Sequence, residues 1–350
     1  MSRSHGGAAA AALAAALSAA CGPLPLTRPE PSGPVVISCC AVAGAPVEIT
    51  YLGVGGWLIR RGGSAVLTAP LFSNPSLLRA GFDTIAPDPA RIDGMLDSVG
   101  VDLTDVSVIL SGHGHYDHLM DVPYVMKRRA PGARFLLNRT SAHQLAAWGI
   151  ADRLLVVDDS AGDAESAGRW IRVGDVRVMP LRSSHAPQFA GQALYRGERV
   201  QDMTERPRLA TEWLDGRSHA YLVDFLESER VVFRVYYHDA VAAEPMGLVP
   251  DSLLLFEDDE HRRVDLALLV PSTYPEVPFH PEAAVDDLRP RHVLLGHWEA
   301  FFGSPFEEPE PLFLNDYGHF IDRLERALRA VSAEPIGWHM PVVGTRFVVR

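Results

Sequence analysis

Residues 111–121 read SGHGHYDHLMD and follow directly on the apolar run VSVIL at 106–110. That run is short, uncharged and rich in β-branched residues, as a strand buried on both faces would be. Open α/β sheets present their ligands in loops at the carboxyl ends of such strands. His113, His115, Asp117 and His118 therefore share one tight loop at such an end. Imidazole nitrogens and carboxylate oxygens at this density suit zinc or a similar divalent ion. At this spacing His113 and His115 can point at one ion, while Asp117 and His118 turn toward a second. Surface histidines in a turn are the bland alternative. With 14 histidines in the chain, an H-x-H-x-D-H pattern should arise by chance on the order of once in a thousand such chains.

The segments around the loop read as strands first, then helices. VEITYLG, GWLIRR and SAVLTAP are short β-type runs broken by glycine. RWIRVGDVRVMP is a hairpin signal with Gly174-Asp175 at its turn. HAYLVDF and RVVFRVYY read as a further strand pair, and VDLALLV and RHVLLG as buried strands. SAHQLAAWG reads as a helix ending at Gly149. Phe320, Ile321, Leu324, Leu328 and Val331 make one apolar helix face, with Asn315 expected as its N-cap. The runs EDDEHRR and EEPEP are expected as solvated loops.

The amino terminus has a different character. MSRSHGGAAAAALAAALSAACG opens with Arg3, runs through an Ala/Leu stretch and reaches small residues before Cys21. Residues 1–21 are read as a secretory signal, of a kind resembling bacterial lipoprotein signals in which the cysteine is lipidated. Leu17 stands one place further from Cys21 than that pattern has it. Residues 22–46, rich in Pro, Gly and Ala, are expected to be a tether, and 47–350 the functional domain. The expected location is the cell envelope, periplasmic or anchored to the membrane through Cys21. The three cysteines, Cys21, Cys39 and Cys40, all precede the domain, so no disulfide frame and no thiolate ligand is expected within it. The net charge of −12 and the lack of a basic stripe beyond Arg60-Arg61 and Lys127-Arg128-Arg129 argue against a nucleic-acid substrate.

HGHYDH resembles the H-x-H-x-D-H motif of the metallo-β-lactamase superfamily. The resemblance implies an αββα four-layer sandwich with two metals held at one edge between the sheets. It also implies three later ligands, each at a strand end: His185 in LRSSHAP, Asp239 in YYHDA and His297 in LLGHWEAFF. By resemblance His113, His115 and His185 hold one metal, Asp117, His118 and His297 the other, and Asp239 bridges. His238 and His280 are the alternative donors for the later positions; His219, His261, His292, His319 and His339 lack the strand-end setting. Two divalent ions, zinc first and manganese or iron as alternatives, would lower the pKa of a shared water and supply a bridging hydroxide. Asp117 would orient that hydroxide or take its proton. The implied activity is hydrolysis of an ester, lactone, amide or phosphodiester. No G-x-S-x-G nucleophile motif competes. The alternative is a catalytically inactive metal-binding envelope protein that uses the fold as a ligand module.

Two departures from the family stand out. Ala69 in LTAP occupies a place where many relatives carry an aspartate that braces the ligand loop, which puts the rigidity of the loop in question. HDA stands where relatives often read Gly-Asp-Thr. By contrast, His115 argues against the diiron oxidoreductase branch, which tends to place glutamate there. YDHLMDVP and GHWEAFF resemble the branch of ascorbate-phosphate-type lactonases and N-acylphosphatidylethanolamine phospholipase D-like enzymes, which implies a small-molecule or lipid-like substrate. Trp298, Phe301 and Phe302 are read either as an apolar pocket beside His297 or as core. Ala186–Arg217, rich in arginine, is read either as a lid or as a solvated insertion.

Overall fold

The structure, a computed structural model, describes residues 23–39, 44–188, 191–253, 264–303 and 307–350. The leader with Cys21, and the run EDDEHRR with His261, lie outside the described residues. The strands in chain order are β1 (Leu26–Thr27), β2 (Val35–Ile37), β3 (Val47–Gly53), β4 (Gly56–Arg61), β5 (Ser64–Thr68), β6 (Val106–Leu110), β7 (Arg134–Leu137) and β8 (Leu154–Val156). They continue as β9 (Ile171–Val173), β10 (Val176–Ser183), β11 (Ser218–Glu227), β12 (Arg230–Tyr237), β13 (Leu266–Leu269), β14 (His292–Leu295), β15 (Gly337–Pro341) and β16 (Arg346–Val349). The helices are α1 (Leu77–Phe82), α2 (Pro89–Val99), α3 (Tyr116–Leu119), α4 (Val122–Arg128), α5 (Arg139–Gln144), α6 (Glu282–Leu288) and α7 (Tyr317–Val331).

The strands form two eight-stranded sheets, in the orders β2-β16-β3-β4-β5-β6-β7-β8 and β1-β15-β14-β13-β12-β11-β10-β9. Each sheet is mixed: β5 to β8 and β12 to β15 pair in parallel, and β3 to β5 and β9 to β12 antiparallel.

The period-2 alternation of side chains builds the layers. On β5, Val66 faces the space between the sheets, while Ala65 and Leu67 face helices α1 to α5. On β7, Leu136 points inward and Phe135 and Leu137 outward. In the other sheet, Leu266 and Leu268 of β13 meet the inner core, and Ala267 and Leu269 pack with α6 and α7. Three apolar cores thus separate four layers, helices–sheet–sheet–helices, which is the expected αββα sandwich.

The hairpin at Gly174 forms as expected, with β9 antiparallel to β10 and Gly174 at φ 60°. SAHQLAAWG becomes α5 and a further 3₁₀ turn that ends at Gly149. Two expectations are corrected. The segment 22–46 is not a free tether throughout: Val35–Ile37 adds to the first sheet beside β16, and Leu26–Thr27 to the second beside β15. The β-branched Val35-Val36-Ile37 run covers an otherwise open edge. The N-cap of α7 is Asp316, whose carboxylate accepts from the His319 N–H, and not Asn315. Asn315 instead accepts from the Thr273 N–H at 2.8 Å and ties two loops together.

Candidate metal centre

Four strands deliver their carboxyl ends to one edge of the sandwich. The loop after β6 carries His113, His115, Asp117 and His118. His185 lies two residues beyond β10, Asp239 two beyond β12 and His297 two beyond β14. The last three strands run in one direction, because β10 and β12 are both antiparallel to β11 and β12 to β14 are mutually parallel.

The tightness of the loop explains its glycines. A Cβ on Gly112 would stand 2.2 Å from the Asp239 carboxylate, and one on Gly114 would stand 2.2 Å from the Leu214 carbonyl. Only glycine lets the loop approach both. The Gly112 N–H donates to Asp239 Oδ2 at 2.7 Å, and the Gly114 N–H to the Asp215 carbonyl at 2.8 Å. Gln144 of α5 donates to the Gly114 carbonyl, and Ser111 Oγ to that of His113.

The seven expected side chains converge. His113, His115 and His185 form one group, His113, His118 and Asp239 a second, and Asp117, His118 and His297 a third, each with ligand atoms within 4.8 Å of one another. The His113 ring centroid lies 4.6, 4.3 and 4.5 Å from those of His115, His118 and His185. Asp239 Oδ1 meets His113 Nδ1 at 3.0 Å, and Asp117 Oδ2 lies 3.3 Å from His118 and 3.5 Å from His297. Of the alternative donors, His238 turns its Nε2 to Ser183 Oγ at 2.8 Å, and His280 turns its Nε2 to the Val270 carbonyl at 2.9 Å. His219 is buried on β11, and His292 and His339 stack on each other at 5.1 Å.

The electrostatics suit cations. Burial and the neighbouring His113 push the His115 imidazole down to about 3. His185 is held well below its ordinary value by burial, His113 and His115. Burial would raise Asp117, but His118 and His297 outweigh it and hold the carboxyl well below the usual range. Burial likewise opposes Asp239, yet His118, His113 and the Gly112 N–H keep it low. Neutral imidazoles and ionised carboxylates are the forms that bind metal; His118 departs from this, since burial lowers it but Asp117 and Asp239 beside it outweigh burial and raise it. His113 Nε2, His115 Nε2, His118 Nδ1 and His297 Nδ1 are buried without a hydrogen-bond partner. Buried polar atoms are rarely left so, and this all-N/O donor set fits divalent ions of the zinc, manganese or iron type.

A cleft of about 620 Å³ opens above the cluster. His115, Asp117, His185, Asp239 and His297 lie at its floor, and Tyr116, Tyr195, Phe301, Phe302, Leu312 and Phe313 are among its walls. Phe301 and Phe302 are therefore pocket residues, whereas Trp298 is core, with its indole N–H donating to the Pro341 carbonyl at 2.8 Å. The arginine-rich stretch is partly wall and partly surface. Leu194 and Tyr195 line the cleft, while Arg199 binds the Glu212 carbonyl and Arg206 covers Trp148. The sequence reading did not single out Tyr195 or the Leu312–Phe313 wall; an aromatic amid charged residues was the available signal for Tyr195.

Asp121 is a further residue the sequence reading passed over. Its buried carboxylate accepts from the Phe72 and Ser73 N–H groups, both at 2.7 Å, and from Ser73 Oγ at 2.6 Å. It thereby ties the ligand loop to the segment that follows Ala69.

No family model matches the chain. It is 30% identical over 151 residues to a UPF0173 metal-dependent hydrolase of Anaeromyxobacter sp. strain K, covering 42% of this chain and 46% of that protein. The chain thus spans about half the length of the curated relatives it matches. Among solved structures, a metallo hydrolase of the archaeon Ignicoccus hospitalis superposes with TM-score 0.47 at 14% identity, over 85% of this chain and 96% of that one. The metallo-β-lactamase fold protein YhfI of Bacillus subtilis gives 0.45 at 12%, over 87% and 100%. The chain thus has two sheets between helical layers, a histidine–aspartate cluster at their shared edge, and a sequence similar over less than half its length to UPF0173 metal-dependent hydrolases.

Proposed function

We propose that the protein is a dinuclear metal-dependent hydrolase whose substrate is an ester, lactone, amide or phosphodiester bearing an apolar group. One observation carries the reading: three interlocking ligand groups, each of three residues, share side chains, and each group exposes at least one of them to an open cleft, through His115, Asp117, His185, Asp239 and His297. A site that bound metal only for structure would close its ligands off, so the open cleft favours a catalytic centre over a structural one.

His113, His115 and His185 would hold one ion, Asp117, His118 and His297 the other, and Asp239, in reach of both His113 and His118, would stand between them. Bound there, divalent ions supply an acidified water and polarise the substrate's carbonyl or phosphoryl oxygen. The protein's own groups do the rest. Asp117, ionised through the working pH range, accepts a hydrogen bond from the attacking water and orients it. The aromatic walls take up the apolar part of the substrate and exclude bulk water. The apolar lining favours an acylated or otherwise lipid-like substrate over a nucleic acid. We also propose export through the amino-terminal segment, with Cys21 as a lipid anchor; no helix among the described residues is long and apolar enough to cross a membrane.

The test is metal analysis with a hydrolase panel on the mature protein. The expected result is close to two zinc, manganese or iron ions per chain, with turnover abolished by chelator, restored by metal and untouched by serine-directed inhibitors. Turnover that persists in chelator would overturn the mechanism.

A further inference from the structure

His297 stands apart from the other candidate ligands in its backbone. It adopts φ 56°, in the left-handed region, where a non-glycine residue is strained. Such a conformation persists only when the surroundings hold it. The neighbouring Gly296 packs against Trp57 so closely that a Cβ there would meet the ring at 2.9 Å, so only glycine fits beside the strained residue.

The hold comes from the opposite sheet. Tyr51 Oη, from β3, accepts from the His297 N–H at 3.0 Å. The same hydroxyl lies 2.7 Å from both carboxylate oxygens of Glu299 and donates to that carboxylate. Glu299 Oε1 also accepts from the Val54 N–H at 2.9 Å, at the turn between β3 and β4. Tyr51 and Glu299 are both buried, and the Tyr51 ring rests against Trp57 at 4.5 Å. Neither residue lines the cleft or belongs to a ligand group. Their hydrogen bonds serve the backbone on either side of the His297 side chain, and they span the two sheets.

We infer that Tyr51 and Glu299 are positioning residues that lock the strained backbone of His297, so that its imidazole faces Asp117 and completes the second metal site. The inference rests on the dinuclear reading above. Without the Tyr51 hydroxyl, the His297 N–H and the Glu299 carboxylate lose their common partner, and the loop relaxes toward an unstrained φ. The imidazole then leaves the Asp117–His118 pair. The ion held by His113, His115 and His185 is untouched, because that group draws on other strand ends.

The experiment uses the full-length protein, stripped and reloaded with zinc or cobalt(II). Titration reads the number and affinity of sites, the cobalt absorption spectrum reads their geometry, and circular dichroism confirms folding. Tyr51→Phe keeps the ring against Trp57 and removes only the hydroxyl. It is expected to retain one tight site and to weaken the other about 10- to 100-fold, as loss of a group that orients a ligand does. Glu299→Gln, which keeps an acceptor for the Val54 N–H and a polar partner for Tyr51, is expected to bind both ions nearly as the wild type does. A Tyr51→Phe protein that folds and binds two ions with wild-type affinity and spectrum overturns the inference and leaves the dinuclear reading standing. A wild type that binds no ion overturns both. If Tyr51→Phe fails to fold, Glu299→Ala takes its place with the same two readings deciding the matter.

Discussion

Asp121 offers a test of the scaffold that needs no metal and no substrate. Its carboxyl is fully buried and accepts three hydrogen bonds, yet burial outweighs them and raises it to about 6 from an ordinary value of 3.8. A carboxyl raised in the folded state favours folding at low pH, where it is neutral in both states. As pH climbs from about 4 to above 6, the unfolded chain ionises first and the native state loses the difference. A gap of about two pKa units corresponds to roughly 3 kcal/mol. Asp121→Asn keeps the shape, with its oxygen accepting from the Phe72 and Ser73 N–H groups and its amide donating to Ser73 Oγ, and it cannot ionise. The measurement is the urea midpoint of the metal-free wild type and variant from pH 4 to 7.5. Taking the difference between the two removes the contribution of every other titrating group. With an m-value of about 3 kcal/mol/M, the variant should gain about 1 M in midpoint on the wild type between pH 4 and 7. Asp121→Ala, which strands two buried N–H groups, should lie about 2–6 kcal/mol below Asp121→Asn at every pH. Parallel wild-type and Asp121→Asn curves across that range would refute the reasoning.

Three further outcomes are expected. Asp239→Asn, which keeps the shape but loses the charge facing His113 and His118, should reduce turnover about 100-fold or more with the fold retained, whereas His238→Ala should cost only about 1–2 kcal/mol of stability for its lost Ser183 contact; activity assays and melting curves of both variants check this. Phe301→Ala should raise KM about tenfold for substrates with a long apolar tail and leave short-chain analogues nearly unchanged, as a chain-length series in steady-state kinetics would read. Cys21→Ser should release the protein from the membrane fraction without blocking export, and a wild type found wholly in the cytosol with an intact amino terminus would defeat the export proposal.

The parts legible in the sequence were those governed by local pattern. VSVIL, VDLALLV and HVLL are apolar runs of strand length, and each forms a strand at the expected place. The ligand loop stood out because four donor side chains fall within six positions, and the later donors because each follows such a run directly. The rest depended on contacts distant in sequence. Tyr51 and Glu299 are 248 positions apart, and nothing local marks either as a support for His297. Val35–Ile37 pairs with a strand at the far end of the chain, so its β-branched character was masked by the Pro/Gly/Ala composition around it. The N-cap of α7 was off by one residue because Asn315 and Asp316 are both competent caps, and only the demand of Thr273 for an acceptor separates their roles.

Ala69 is where local resemblance and tertiary structure diverge most usefully. A missing aspartate there suggested a loosely held ligand loop. Ala69 is fully buried, and the turn beside it must be glycine: a Cβ on Gly55 would lie 3.2 Å from that of Ala69 and 2.9 Å from His118 Nδ1. The bracing passes to other groups. Asp121 pulls the segment at Phe72 and Ser73 onto the ligand loop from behind, Gly112 is pinned to Asp239, and Gly114 is held between Asp215 and Gln144. Tyr237 Oη donates to the Gly55 carbonyl at 3.1 Å and lies 3.2 Å from Asp239 Oδ2, so the strand that carries the central carboxylate also fixes the turn beside His118. Each anchor reaches the loop from a different element, and removing one leaves the others in place. Rigidity at this site is therefore a property of the interlocked loops, and a single missing carboxylate does not forfeit it.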